Sequence, residues 1–312
     1  MNIARPERII DFSTNTNIIS WPKINLDIER LASSYPDYEC SSLVKIISER
    51  ENISQSRILF TNGINEAIYL LANLLSGQSL NTGILQPCYS EYMRAFSQAQ
   101  SVFNLDEAGR FKNFIIVNPN NPTGIYINNL SELIINHPDT RFIIDEAYID
   151  FLINDSRERL CDFDNVIILR SLTKIFHLSG VRIGYVIANE SIIESLRRLQ
   201  PTWSVNSVAQ ELALYFLNDS DFYNRTREFY RSEAPGFMQA LRDSGFEIMK
   251  SSVHYFLLRV RDDYELIKFL LSRGLVVRHT RNFAGLDGKY IRVATRKHDE
   301  NKILQEALTL FS

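Results

Sequence analysis

The sequence predicts an α/β protein with a mostly parallel sheet in a large domain, followed by a smaller α+β domain. Short apolar runs alternate with helical patterns, as the βα units of a parallel sheet require. These strand-sized runs lie near residues 57–60, 82–86, 113–117, 141–145, 166–169 and 183–188. A long helical pattern begins at about residue 205 and is broken at 218–221. Strands return at 255–260 and 290–294, which indicates the second domain.

Composition limits the classes of protein that fit. The chain has 312 residues, 45% of them hydrophobic, and a formal net charge of -3. This length can fill a large core, and the charge gives no reason to expect nucleic acid or acidic lipid as a partner. The longest apolar stretches are strand-sized and no charged-then-apolar leader opens the sequence, so we expect a cytoplasmic protein without a membrane span. Three widely spaced cysteines and five scattered histidines predict no metal site.

A rigid turn follows the apolar run at 114–117. Its sequence is Asn118-Pro119-Asn120-Asn121-Pro122-Thr123-Gly124. Two prolines and a glycine end the strand and fix the backbone that comes after it. Such a turn can aim the Asn121 amide at a bound cofactor, although by itself it is a common turn signal.

The next apolar run ends in a carboxylate. Residues 142–144 lead into Asp145, and Tyr148 follows three residues later. Because ligands collect at the carboxyl ends of parallel strands, Asp145 lies where a catalytic carboxylate is expected. An aspartate that faces a pyridine nitrogen favours the protonated, electron-accepting ring. The alternatives are a turn cap for Asp145 and a core position for Tyr148.

A lysine beside two hydroxyls follows the strand near 166–169. The run is Arg170-Ser171-Leu172-Thr173-Lys174, with Arg182 eight residues beyond the lysine. A lysine can form a Schiff base with a carbonyl cofactor. Hydroxyls and a bidentate arginine can bind the phosphate of that cofactor. A solvated surface lysine is the alternative for Lys174.

In this order, these motifs resemble the fold-type I pyridoxal-phosphate enzymes, the aspartate aminotransferase superfamily, over nearly the whole chain. The resemblance implies pyridoxal 5′-phosphate as the cofactor and Lys174 as the lysine that bonds its aldehyde. It implies that Asp145 pairs with the ring nitrogen and that Asn121 and Tyr148 bind the ring hydroxyl. The phosphate is assigned to Ser171, Thr173 and Arg182.

Two more segments fit this resemblance. Gly63, Ile64 and Asn65 lie between an apolar run and a helical pattern. A glycine turn that opens a helix offers backbone N–H groups and the positive end of the helix dipole to a phosphate. Tyr89 lies where the superfamily places an aromatic ring over the cofactor, and an ordinary core tyrosine is the alternative.

The resemblance also predicts domain boundaries and a homodimer. Residues 35–220 are assigned to the large cofactor-binding domain, and residues 1–34 with 221–312 to the small one. In related enzymes a tyrosine at the position of Tyr35 reaches the cofactor phosphate of the neighbouring subunit. Because Pro36 restricts Tyr35 to extended conformations, the segment suits a crossing of that kind. We therefore expect active sites shared between two subunits. The alternative is that Tyr35 packs within its own subunit.

Finer likeness points to one subfamily. The segments 11–15, 35–37, 203–206 and 282–294 resemble the threonine-phosphate decarboxylases of cobalamin synthesis, whose near relative is histidinol-phosphate aminotransferase. The resemblance implies substrate contacts from Asn15, Asn121, Arg278 and Arg292. In both families the arginine at the Arg292 position binds the substrate carboxylate, and the one at the Arg278 position faces the phosphate or carboxylate. A solvated strand end is the alternative for Arg278.

The two candidate reactions use the same residues. Both begin when the substrate amine replaces Lys174, and they differ in which bond at the substrate α-carbon lies perpendicular to the cofactor ring. We expect decarboxylation of phosphothreonine or phosphoserine to an aminoalkyl phosphate, for cobamide biosynthesis. The alternatives are an aminotransferase of the histidinol-phosphate type and a non-catalytic protein that binds pyridoxal phosphate.

Overall fold

The structure, a computed structural model, describes residues 8–154 and 157–311, and the prediction for residues 1–7 lies outside this part. Within it, two smaller sheets accompany a seven-stranded sheet of order β2-β8-β7-β6-β5-β3-β4. The strands are β1 Ile10–Asp11, β2 Ile58–Thr61, β3 Thr82–Leu85, β4 Gln100–Val102, β5 Asn113–Val117, β6 Arg141–Asp145, β7 Val166–Ser171, β8 Gly184–Ile187, β9 Tyr255–Arg259, β10 Leu275–Val276, β11 Arg278–His279 and β12 Tyr290–Ala294.

The seven-stranded sheet confirms the predicted mostly parallel architecture. In the described sheet β8 runs antiparallel to β2 and β7, and every other pair is parallel. The central strands are buried on both faces: Phe114 and Ile116 enter one apolar cluster, whereas Ile115 and Val117 enter another. Burial on both faces explains why the sequence shows continuous apolar runs rather than alternation. The edge strand β4 was not predicted, because its first two residues are exposed and polar.

Helices cover both faces of this sheet and continue into the C-terminal part. The long helical pattern is confirmed as two helices, α8 and α9, and the predicted break falls between them. At this break Asp219 caps the start of α9, since its side chain accepts a hydrogen bond from Phe222 N at 2.9 Å. The helices are α1 Ile28–Ser33, α2 Ser41–Glu51, α3 Gly63–Leu74, α4 Glu91–Ala95, α5 Leu130–Asn136, α6 Leu172–Ile175, α7 Glu190–Leu199, α8 Ser207–Asn218, α9 Ser220–Asp243, α10 Asp263–Ser272 and α11 His298–Phe311.

The C-terminal part has its own sheet and apolar cluster. Strands β11, β12 and β9 form an antiparallel sheet in that order. The N-terminal strand β1 pairs in parallel with β10, with Ile10 opposite Leu275. The N-terminal segment therefore contacts the C-terminal part, in the way that the resemblance implies. The boundaries at residues 34/35 and 220/221 stay a prediction.

Membrane-spanning helices and metal-binding clusters are both absent from residues 8–154 and 157–311. None of the helices found there is long and apolar enough to cross a membrane. The same residues contain no group of three or more His, Cys, Asp or Glu side chains placed to hold a metal ion.

Candidate active site

A cavity of about 300 Å³ lies where the carboxyl ends of β5, β6 and β7 face the small antiparallel sheet. Val117, Asp145 and Ser171 are the last residues of those strands, and each lines the cavity. The cavity brings together most of the residues predicted from the sequence, namely Asn15, Ile64, Asn65, Tyr89, Asn121, Asp145, Tyr148, Ser171, Thr173, Lys174, Arg182, Arg278 and Arg292.

Lys174 is held on the short helix α6, directly after β7. Burial, together with the charges of Arg182 and Arg292, lowers the pKa of Lys174 to about 8, while Asp145 has the opposite effect. A substantial fraction of the amine is therefore neutral near physiological pH, as a nucleophile must be. The N-terminal segment fixes this helix, since Asn17 N donates to Lys174 O at 2.9 Å and Asn17 Nδ2 donates to Ile175 O at 2.9 Å.

Asp145 is buried and accepts two hydrogen bonds. The Tyr92 hydroxyl donates to Asp145 Oδ2 at 2.7 Å, and the Ala147 N–H donates to Asp145 Oδ1 at 2.9 Å. Burial raises the pKa of Asp145, and these two donors together with Lys174 partly offset that rise. The carboxylate thus has a fixed orientation at the cavity wall.

Donors converge at the start of α3. Gly63 opens this helix with φ of +72°, and a Cβ at this position would come within 2.5 Å of Arg182 Nη2. Gly63 does not itself line the cavity, but its missing side chain leaves room for Arg182. The Asn62 side chain makes no capping hydrogen bond, so the first N–H groups of α3 are not used by it. Helix N-termini of this kind bind anions.

Two hydroxyls complete this end of the cavity. Ser171 Oγ and Thr173 Oγ1 lie 2.6 Å apart, both buried. The Arg182 guanidinium is anchored by a hydrogen bond from Nη1 to Ser179 O at 3.0 Å. Hydroxyls, helix N–H groups and a guanidinium are the donors that a phosphate dianion requires.

Aromatic and amide side chains form the cavity wall between Asp145 and the donors near Arg182. The Tyr89 hydroxyl donates to Asn65 Oδ1 at 3.3 Å, and its ring lines the cavity. Tyr148 is buried, and desolvation raises the pKa of its hydroxyl, so the side chain remains a neutral phenol. Asn121 Oδ1 accepts a hydrogen bond from Arg292 Nη1 at 2.6 Å, which connects the two sheets across the cavity.

Two arginines lie on the side of the cavity formed by the small sheet. Arg292 on β12 is buried, and its Nη2 donates to Ser13 O at 2.6 Å, while its Nε has no partner within the described structure. Arg278 on β11 is half-buried and contacts His279 Nε2 at 3.0 Å and Asn282 Oδ1 at 3.1 Å. Asn15 has a buried Nδ2 that likewise lacks a partner among the described residues. These groups leave donors available for an anionic substrate.

Besides Gly63, Tyr35 is a predicted residue that does not line the cavity of its own chain. Its side chain is 79% exposed and stacks on Trp203, with ring centroids 4.3 Å apart. The structure of one chain therefore leaves Tyr35 available at the surface, and its role toward a neighbouring subunit stays a prediction.

Sequence reasoning missed several residues around the cavity. Ser90, Asn282 and Phe283 line it, and Tyr92 contacts Asp145 from behind the wall. Asn282 and Phe283 belong to the segment 282–294, which resembles the decarboxylases, but the resemblance did not assign a role to either residue. The spacing of Tyr92 three residues after Tyr89 is compatible with one helix face, but it does not reveal a partner 53 residues away.

The fold and the cavity together define the class of protein, a fold-type I pyridoxal-phosphate enzyme, and comparison with known proteins gives the family. Residues 104–308 match the family described as "Aminotransferase class I and II". The threonine-phosphate decarboxylase of Salmonella typhimurium is 31% identical over 97% of this chain and 91% of its own length. The chain belongs to the aminotransferase class I and II family.

Other relatives in sequence have different names. The adenosylcobalamin biosynthesis bifunctional protein CobDQ of Leptospira interrogans is 28% identical over 98% of this chain. The chain spans only 39% of the length of that relative. A histidinol-phosphate aminotransferase of Methanococcus aeolicus is 29% identical over 97% of this chain and 90% of its own length.

Solved structures confirm the fold. The L-threonine-O-3-phosphate decarboxylase of Porphyromonas gingivalis has a TM-score of 0.83 at 25% identity, covering 97% of this chain and 99% of its own. A histidinol-phosphate aminotransferase of Sinorhizobium meliloti, solved in complex with pyridoxal-5′-phosphate, has a TM-score of 0.85 at 20% identity, covering 97% and 90%. The predicted fold-type I transferase architecture is thus correct, and pyridoxal 5′-phosphate is the cofactor of this family.

The cavity fits this cofactor by its own chemistry. One end has donors of the kind that a phosphate requires, around Gly63 and Arg182, and the other has a buried carboxylate, Asp145. Lys174 lines the same cavity, with an amine whose pKa lies well below that of ordinary lysines. A phosphate, an aldehyde and a basic ring nitrogen would each meet a complementary group.

Proposed function

We propose that the chain is a pyridoxal-phosphate-dependent decarboxylase of an O-phospho-L-amino acid, phosphothreonine or phosphoserine, that yields an aminoalkyl phosphate for cobamide biosynthesis. The observation that carries the proposal is the pair Arg278 and Arg292, which line one cavity together with Lys174. A substrate with an anionic group at each end requires two separate cationic partners. The names of the relatives from S. typhimurium and P. gingivalis support the same substrate class.

The cofactor is pyridoxal 5′-phosphate, and the assigned roles follow the donor set of the cavity. Lys174 would bond its aldehyde, and Asp145 would face its ring nitrogen. Asn121 and Tyr148 would bind its ring hydroxyl, with the Tyr89 ring against its face. Its phosphate would lie among Gly63, Ile64, Asn65, Ser171, Thr173 and Arg182, with Tyr35 contributed by a second subunit.

The residues of the chain direct the chemistry. When bound, pyridoxal phosphate supplies an electron-accepting ring that stabilises negative charge at the substrate α-carbon. Arg292 and the unpartnered amide of Asn15 hold the substrate carboxylate, and that position decides whether the bond to the carboxylate or to hydrogen breaks. Arg278 holds the phosphate at the other end. The Lys174 amine, neutral in part, is placed to move a proton at the α-carbon.

A phosphate-recognising aminotransferase is the second candidate, because the relative from M. aeolicus is a histidinol-phosphate aminotransferase of nearly the same identity. The deciding experiment incubates purified protein with phosphothreonine, phosphoserine or histidinol phosphate. Carbon dioxide and 2-oxoglutarate-dependent product are measured separately. Release of carbon dioxide from a phospho-amino acid supports the decarboxylase. Product that depends on 2-oxoglutarate supports the aminotransferase, and no turnover by cofactor-loaded protein supports a non-catalytic binding protein.

Substrate choice should depend on the two arginines in different ways. Loss of a buried charged partner costs about 2–5 kcal/mol. Arg278→Ala should therefore lower kcat/KM for phosphothreonine by about 30-fold or more, and it should affect threonine far less. Arg292→Ala should lower kcat/KM for both substrates alike. Lysine at either position should restore only part of the activity, because a point charge cannot reproduce the bidentate fork.

Arg281→Ala is the matched control for these variants. Arg281 lies on the same segment, pairs with Asp263 at 2.9 Å and is 47% exposed, and it does not line the cavity. Its kcat/KM for both substrates should equal that of the wild type. If Arg278→Ala processed phosphothreonine as well as the wild type does, an unphosphorylated substrate would become the better proposal.

A homodimer with shared sites is the next prediction. When pure, Lys174→Ala should have no turnover and Tyr35→Ala should have reduced turnover. Mixed dimers of the two variants contain one site that has both Tyr35 and Lys174, so activity should return after mixing and subunit exchange. Sedimentation analysis gives the oligomeric state. A fully active monomer in dilute solution, or no recovery from confirmed mixed dimers, would contradict the shared site.

A further inference from the structure

Tyr92 is a buried tyrosine whose hydroxyl contacts the carboxylate at the end of the cavity. It lies on α4, and its side chain is 0% exposed. Its hydroxyl donates to Asp145 Oδ2 at 2.7 Å, a distance typical of a strong hydrogen bond to a charged acceptor. Tyr92 does not line the cavity, so it reaches Asp145 from behind the cavity wall.

The two oxygens of Asp145 are held by different elements. Oδ2 accepts from Tyr92 on α4, and Oδ1 accepts from the Ala147 N–H, which follows β6. Two donors at a carboxylate fix its plane and leave a lone pair on each oxygen for a group in the cavity. Because both residues that donate are part of the packed wall, this orientation does not depend on bound substrate.

We propose that Tyr92 is a positioning residue that, through this hydrogen bond, keeps Asp145 ionised and aimed at the ring nitrogen of the cofactor. The inference rests on the cofactor and not on which substrate is used. Hydrogen bonds to the charged form of a carboxylate favour that form, whereas burial disfavours it. The Tyr92 hydroxyl thereby opposes the effect of burial, which raises the pKa of Asp145.

The hydrogen bond from Tyr92 affects where the proton between Asp145 and the ring nitrogen of the cofactor resides. When the carboxylate is stabilised as an anion, that proton resides on the ring, and the ring accepts electrons. In Tyr92→Phe, the anion loses one of its two hydrogen-bond donors in a buried site, so the proton shifts toward the carboxylate. Phenylalanine keeps the ring and its packing, which confines the change to one hydroxyl.

The experiment separates this role from a structural one by changing the cofactor. Full-length wild-type and Tyr92→Phe proteins are stripped of cofactor and titrated with pyridoxal 5′-phosphate or with 1-deazapyridoxal 5′-phosphate, in which carbon replaces the ring nitrogen. Binding is followed by quenching of protein fluorescence. The variant should bind pyridoxal 5′-phosphate about tenfold more weakly, because hydrogen bonds to charged groups are strong, and should bind the analogue as the wild type does.

Tyr223→Phe is the matched control. The Tyr223 hydroxyl donates to Asp150 Oδ1 at 2.9 Å, a second phenol–carboxylate pair, and neither residue lines this cavity. Its affinity for both cofactors should equal that of the wild type. In an Asp145→Asn background, Tyr92→Phe should change the affinity for pyridoxal 5′-phosphate much less than it does alone.

Kinetics of the loaded enzyme give a further readout. With its natural cofactor, Tyr92→Phe should lower kcat and leave KM for the substrate unchanged, because the hydroxyl acts on the ring and not on the substrate. A variant that binds both cofactors equally weakly would show that Tyr92 only supports the fold near the site. Unchanged binding of pyridoxal 5′-phosphate would also overturn the proposal.

Discussion

Replacement of Lys174 by alanine should abolish turnover of every substrate. We expect at least a 10³-fold loss, roughly, because a positioned acid or base alone contributes about 10²–10⁴-fold and Lys174 also bonds the cofactor. The purified wild-type protein should be yellow. After borohydride reduction, mass spectrometry should find the cofactor on the peptide that contains Lys174. The alanine variant should carry no such adduct, although it can still bind cofactor noncovalently.

The same variant should not lose stability. Burial and the charges of Arg182 and Arg292 hold the pKa of Lys174 at about 8 in the folded chain, below its ordinary value of 10.5. The unfolded chain therefore binds this proton more tightly, which costs about 3 kcal/mol of folding free energy at neutral pH. This cost is fully present below about pH 8 and disappears as the pH rises toward 10.5. Without cofactor, Lys174→Ala should thus unfold at the same temperature as the wild type or at a higher one.

Lys268→Ala is the control for the loss of a lysine. Lys268 is 63% exposed and lies near Glu265 on the surface of α10, far in sequence from the cavity residues of the large sheet. It should retain full activity. Full activity in Lys174→Ala, measured against this control, would remove the central assignment of the active site.

Asp145→Asn should keep the fold and lose most of the activity. Asparagine has the same shape, and its oxygen can still accept the hydrogen bond from Tyr92. The ring nitrogen, however, loses a buried opposite charge, and a loss of this kind costs about 2–5 kcal/mol. We expect kcat to fall by roughly 30-fold to several thousand-fold. Steady-state kinetics with phosphothreonine, together with circular dichroism of the same samples, measure both parts of the prediction.

Asp150→Asn is the control for this change. Asp150 also accepts a hydrogen bond from a tyrosine, Tyr223 at 2.9 Å, but it lies outside the cavity. Its kcat should remain close to the wild-type value. Near-wild-type turnover in Asp145→Asn would count against the assignment of Asp145 to the ring nitrogen.

Local sequence predicted the strands that carry the site. The central strands are apolar on both faces, so β5, β6 and β7 were recognisable as uninterrupted runs. Asp145 and Ser171 are the last residues of two of these strands, and a carboxylate or hydroxyl at such a position stands out against the apolar run before it. Edge strand β4 and the two-residue strands β1, β10 and β11 have no such pattern, because short or exposed strands bury too little to constrain their sequence.

Residues that act through partners distant in sequence were harder to find. Tyr92 contacts a residue 53 positions away, and Arg292 donates to Asn121 across 171 positions. Both pairings depend on how elements pack, and no local propensity records that. Arg278 and Arg292 were predicted only through the family resemblance. Both lie on the small sheet and reach the cavity only because that sheet packs beside the large one.

By itself, the sequence determined the α/β class and the polar residues after each strand that line the cavity, because burial on two faces and turns at strand ends leave local patterns. Only the tertiary structure decided that β8 runs antiparallel, that β1 pairs with β10, and that Tyr35 lies outside the cavity of its own chain. It also decided which groups hold Asp145 and Arg292. These features depend on strand register and on packing between segments that are distant in sequence. Local sequence does not record them, because a hydrogen bond forms only when the packing brings its two atoms to within a few tenths of an ångström of the required distance.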